Sequence, residues 1–164
     1  MISFPIIRVI TKILIPYILL FALYVQFHGD FGPGGGFQAG VIFASALILY
    51  GLVFGLPQVQ RVAPPKAIEK LIALGLLLYA GTGFATLCFP HTDDHGVVHE
   101  NFLDYDTLNH HFLTDVTIGE HTYHFLPSGQ HLGIFLVELG VGITVTAVMT
   151  MIFYAFVSRE PATK

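Results

Sequence analysis

Gly32, Pro33, Gly34, Gly35 and Gly36 are packed into the stretch FHGDFGPGGGFQAG, Phe27 to Gly40, and an apolar run long enough to cross a bilayer lies on each side of it. Glycine costs about 1 kcal/mol and proline about 3 in a helix interior, so ordinary helix cannot continue through these positions. The chain must reverse here. The reversal sets two apolar helices beside each other, and the rest of the sequence has to be read around that pair.

With 54% apolar and 11% charged residues, and a mean hydropathy of +0.70, the chain belongs to the membrane class. A soluble globular fold is not expected of this composition. The one cysteine, Cys88, allows no internal disulfide and does not report a redox compartment. Basic residues ahead of the first apolar run give it a superficial likeness to a secretory signal. No small-residue cleavage site follows and a second run begins almost at once, so the segment is expected to stay.

Four spanning segments are predicted, making an all-α integral membrane protein with a single membrane domain, residues 1–164. The first covers about residues 5–27, with Pro16 in its middle; at 1.5 Å per residue it exceeds a hydrocarbon core of about 30 Å. After the glycine and proline turn, 28–36, the second covers about 37–56. Gly36, Gly40 and Ala44 recur there at four-residue steps, a small-residue face on which helix backbones can approach closely, and Gly51 and Gly55 extend the idea. A short basic loop, 57–66, contains Pro57, Pro64, Pro65, Arg61 and Lys66. The third segment covers about 67–89 and the fourth about 131–157, followed by a polar tail, 158–164.

Between segments three and four, residues 90–130 form a long acidic, histidine-rich loop without lysine or arginine. Its Gly119-Glu120 pair suits a type II′ turn. Such a turn would pair Val116 with Tyr123, Thr117 with Thr122 and Asp115 with His124, a small β-hairpin.

All seven basic residues lie near segment ends: Arg8 and Lys12, then Arg61, Lys66 and Lys70, then Arg159 and Lys164. The first and third loops have none. The positive-inside rule therefore puts both termini and the basic loop in the cytoplasm. The glycine turn and the histidine-rich loop then share the outer face.

Glu138 is the acid set well inside an apolar run. A carboxylate in hydrocarbon is costly, so it should face protein or water. Four-residue steps from it reach Gly142, Thr146 and Thr150, and His131 lies two turns before it. Two readings follow: a proton or cation pathway through Glu138, His131, Thr146 and Asp30 of the turn, or a polar anchor for a neighbouring subunit. No lysine or arginine of this chain sits at a matching depth, so a cationic partner must come from another polypeptide. The histidines of the long loop suit zinc or a pH-responsive surface, but their spacing matches no metal motif, and a solvated acidic loop explains them as well. GGGFQA, residues 34–39, satisfies G-x-G-x-x-A by accident, since a membrane helix and not a strand precedes it. Neither a nucleophile with a matching base nor a nucleic-acid face is found, and no cofactor or bound metal is expected.

FHGDFGPGGGFQAGVIFASALILYGL, taken with the later GQHLGIFLVELGVGITV, resembles the B subunit of the multisubunit Mrp-type sodium/proton antiporter. The likeness covers most of the chain, and the matched positions are Pro33 and Phe37 in the turn and Glu138 in the last helix. The histidine-rich loop is not part of it. The resemblance implies a multi-pass subunit of a bacterial inner-membrane complex that exchanges cytoplasmic sodium for external protons. Its partners would include large subunits similar to the proton-pumping membrane subunits of respiratory complex I. It implies a transporter component and not an enzyme; the residues themselves give Pro33, Gly34, Gly35, Gly36, Phe37, Gly40 and Gly142 as the positions that serve the turn and helix packing. The alternatives are a purely structural subunit of a complex I-like assembly and an outer-face metal or pH sensor.

Overall fold

The computed structural model describes residues 5–29, 35–88, 91–92, 98–99, 115–118, 121–124 and 129–158, with side chains considered at 5–29, 35–88 and 131–158. Among them, four helices are long and apolar enough to cross a membrane: α1 (Pro5–His28), α2 (Gly36–Phe54), α4 (Pro65–Cys88) and α5 (Gly129–Val157, apolar from His131). Helix α1 runs through Pro16, whose lost N–H forfeits one backbone bond without ending the helix.

A shorter helix, α3 (Leu56–Val62), occupies most of the stretch expected to be loop. Its proline sits in the first turn, where a missing N–H costs nothing because those groups have no intrahelical partner. Gly55 makes the break from α2 by adopting φ +95°, so it is a hinge and not part of a packing face.

Helix α5 is central. It packs on α2 along one side and α4 along the other, and α1 packs chiefly on α2. Being flanked on both sides demands small residues on two faces, and α5 supplies them two positions apart. Gly140 and Gly142 are separated by about 200° around the helix at 3.6 residues per turn. A Cβ on Gly140 would lie 2.8 Å from the Gly75 carbonyl oxygen of α4, whereas a Cβ on Gly40 of α2 would lie 2.7 Å from the Gly142 carbonyl oxygen. Both seams therefore bring backbone against backbone, where dispersion contacts are densest.

Hydroxyls along these helices turn back onto the backbone. Thr82 donates to the Leu78 carbonyl, Thr144 to Gly140 and Thr150 to Thr146, each within 2.8 Å. Such bonds keep a polar group satisfied where no water is available. At the basic end Val59, Ile68, Ala147 and Tyr154 form a buried cluster, and the Tyr154 hydroxyl donates to the Ala63 carbonyl at 2.8 Å. That bond ties α5 to the connection between α3 and α4.

Two short antiparallel ladders lie between α4 and α5 in the chain. β1 (His91–Thr92) pairs with β2 (Val98–His99), and β3 (Asp115–Ile118) with β4 (His121–His124). In the second, Asp115 faces His124, Val116 faces Tyr123 and Thr117 faces Thr122. Gly119 and Glu120 lie outside the described residues.

Candidate functional site

Gly29 follows the end of helix α1 and Gly35 caps α2, and the structure puts the side chain of Glu138 between them. A Cβ on Gly29 would fall onto both carboxylate oxygens, and one on Gly35 would lie 2.9 Å from Oε1. A Cβ on Gly36 would collide with the Glu138 backbone carbonyl. Three glycines of the turn thus vacate the volume that this one glutamate occupies. Gly35 also holds φ +124°, a conformation that side chains other than glycine rarely adopt.

The carboxylate sits where helix α2 begins. The first N–H groups of a helix lack intrahelical partners and carry partial positive charge, which suits a carboxylate. Helix α2 has no acidic residue in its own first turn, and its cap is a glycine without a side chain. Glu138 brings to that end, from α5, the acid that α2 does not carry. Glu138 is half-buried within the chain, less enclosed than its apolar neighbours in the sequence suggest.

Gly29 and Gly35 are recessed relative to the tips of α4 and α5. From Gly129 to Glu138, α5 rises about 13 Å at 1.5 Å per residue, so its tip stands that far beyond the level of the turn. Tyr79 lies opposite Gly140 across the seam, and α4 likewise continues past this level to Cys88. Phe27 and Phe135 stack at 5.5 Å between ring centroids, fastening the end of α1 to α5 just above Glu138.

Of the other positions singled out in the sequence, Gly36 and Gly40 lie in the α2–α5 seam with Gly142. Thr146 is there too: its hydroxyl lies 2.7 Å from the Gly142 carbonyl and 3.1 Å from that of Gly40, and Thr150 is fully buried. This stripe is engaged in helix packing. Phe37 is 61% exposed among the described residues. His131 is exposed near the start of α5. Asp30, Pro33 and Gly34 lie outside the described residues, as do the side chains of the loop histidines.

Two features were not singled out from the sequence. Gly29 is as close to Glu138 as Gly35 is, and a glycine one place past a helix end carries no signal of what it must accommodate. Gln26 is 5% exposed, and a Cβ on Gly142 would come within 2.7 Å of its Oε1.

A family model described as a domain related to the MnhB subunit of the Na+/H+ antiporter matches residues 6–151. The chain belongs to the MnhB family. Among similar curated proteins is a putative antiporter subunit mnhB2 from Staphylococcus epidermidis, 33% identical over 140 residues, covering 85% of this chain and 89% of that protein. Another is the B subunit of the Na(+)/H(+) antiporter of Alkalihalophilus pseudofirmus, 33% identical over 136 residues, covering 83% and 85% respectively. The mnhB2 protein of Staphylococcus haemolyticus is 31% identical over 140 residues. The matched residues include α1, the glycine turn, Glu138 and most of α5, so the whole site lies within the MnhB region.

Proposed function

We propose that this MnhB-family chain is an integral subunit of a multisubunit sodium/proton antiporter in the bacterial cell membrane, and that Glu138, seated in the glycine turn, handles the transported ion. Both termini and α3 face the cytoplasm, and the turn and the β3–β4 hairpin face outward. The single observation carrying this reading is the pair of glycines, Gly29 and Gly35, on either side of the Glu138 carboxylate. A residue kept only to fill space would not require two neighbours without side chains and one of them at positive φ.

Depth supports the same reading. With Lys12 at the cytoplasmic headgroups, the rise from Lys12 to His28 is about 24 Å, short of a hydrocarbon thickness of about 30 Å. The turn and Glu138 then lie inside the outer edge of the hydrocarbon, where an ionisable group marks an ion pathway by default. Lys12 itself lies over the Phe54 ring at 5.8 Å, which anchors this end of α1 to α2. Large complex I-like subunits of the assembly are the natural source of a cation opposite Glu138.

The test is Glu138→Gln in the complete antiporter, assayed in inverted membrane vesicles for sodium-dependent proton exchange, with co-purification of the other subunits measured alongside. The expected outcome is an assembled complex without exchange. Unchanged exchange in an assembled complex would falsify the pathway role. A second, structural reading is favoured by the two backbone seams on α5: here Gly36→Leu disperses the complex, and Glu138→Gln lowers exchange only in proportion to lost assembly.

A further inference from the structure

Gln38, on the first turn of α2, brings a second side-chain oxygen to the glycine turn. Among the described residues, and leaving out Gly35 and its chain neighbours, three heavy atoms lie nearest the point that a Cβ on Gly35 would occupy. They are Oε1 and the carboxyl carbon of Glu138, at 2.9 and 3.5 Å, and Oε1 of Gln38, at 3.9 Å. A carboxylate oxygen from α5 and an amide oxygen from α2 thus border one small space, which exists because position 35 carries no side chain.

Gln38 is also exposed, although it stands only about 3 Å further along α2 than Gly36. With Lys12 at the cytoplasmic headgroups, that level lies within the hydrocarbon. A side-chain amide turned towards lipid tails is costly, so polar groups at this depth face protein or water. The open side of Gln38 is on this reading a hydrated one, and it leads to the carboxylate.

We infer that Glu138 and Gln38 bind the sodium ion together, the carboxylate supplying the charge and the Gln38 amide oxygen a neutral ligand in place of water of hydration. A hard cation takes several oxygen ligands at once. A proton needs only a carboxylate oxygen, and an amide oxygen takes up no proton near neutral pH, so Gln38 has no part in carrying protons alone. The last turn of α1, whose carbonyls lack partners within the helix, ends one residue short of Gly29, where the other carboxylate oxygen sits. Helix ends at membrane depth supply carbonyl ligands to sodium in transporters, so α1 offers further oxygens on that side. The inference rests on Glu138's handling the transported ion, and it adds which ion is bound and what selects it.

The experiment uses the complete complex in inverted membrane vesicles, with initial rates of exchange measured over a range of sodium concentrations. Gln38→Met keeps the length of the side chain and removes its oxygen. It is expected to raise KM for sodium about tenfold or more, with the rate at saturating sodium and the co-purification of the other subunits unchanged. Gln38→Ala, which only shortens an exposed side chain, is expected to do the same. Gln38→Glu keeps an oxygen in place and is expected to hold KM at or below that of the parent. Unchanged KM in the Met and Ala variants overturns the inference, and so does an equal rise in Gln38→Glu, which would make shape and not oxygen the requirement. Loss of a partner subunit at unchanged KM would assign Gln38 to a subunit contact and overturn it as well. Exchange that survives Glu138→Gln sinks the pathway reading itself, whereas an inactive Glu138→Gln beside unchanged KM in the Gln38 variants removes only the shared sodium site.

Discussion

At the scale of single residues, the unusual feature is a glutamate held by glycines contributed from two different helices. Gly35 combines φ +124° with a Cβ position 2.9 Å from Glu138 Oε1, and either property alone opposes a side chain there. Gly35→Ala should therefore lower the stability of the purified complex by on the order of 1–3 kcal/mol, read as a fall in its melting temperature. Part of that cost is conformational and part is collision, and a double-mutant cycle separates them. In a Glu138→Ala background the collision disappears and the φ cost stays, so the penalty of Gly35→Ala should shrink by about 0.5 kcal/mol or more. Equal penalties in the two backgrounds would contradict the contact. Glu138 and the turn each stood out in the sequence, one as a carboxylate in an apolar run and the other as clustered glycines. Their meeting was not, because close-approach glycines announce that something comes near without saying which distant residue it is.

The two flanks of α5 make the element scale testable with an internal control. A Cβ on Gly75 would fall on the Thr144 hydroxyl and lie 2.7 Å from the Gly140 carbonyl oxygen, whereas one on Gly81, on the same helix, would meet nothing within 4 Å among the described residues. Gly81→Ala should then be neutral or stabilise α4 by about 0.5–1 kcal/mol, the ordinary preference for alanine in a helix. Gly75→Ala should destabilise by about 1–3 kcal/mol, because backbone must move apart along the whole seam. Thermal unfolding of the two variants in detergent should bracket the parent, and the opposite order would mean that α4 is not seated against α5 in this register. The small-residue face of α2 was readable from its four-residue steps, and it is the face turned to α5. Helix α3 was not readable in the same way: Pro57 looks like a loop marker until Gly55 is known to break the chain just ahead of it. In that position the proline starts a helix instead of preventing one.

At the scale of the whole molecule, apolar length and the placement of charge were enough to anticipate four spanning helices, whereas their order around α5 depends on which glycines meet. The proposed orientation makes a prediction that needs little engineering, because the one cysteine, Cys88, is exposed at the end of α4 away from the basic segment. A membrane-impermeant maleimide added to intact cells should label it, and the same reagent added to sealed inverted vesicles should not. Gln58 is exposed on α3, at the opposite end of the helices. Gln58→Cys in a Cys88→Ser background should show the reverse, reacting in inverted vesicles and staying silent in cells. Exchange of the two patterns would invert the molecule in the bilayer, and Glu138 would then lie near the cytoplasmic edge. Agreement would instead put the recessed Gly29 and Gly35 on the outer side. A proton from outside would then reach Glu138 through less than half of the hydrocarbon thickness, and passage through the greater part would depend on groups brought by the neighbouring subunits.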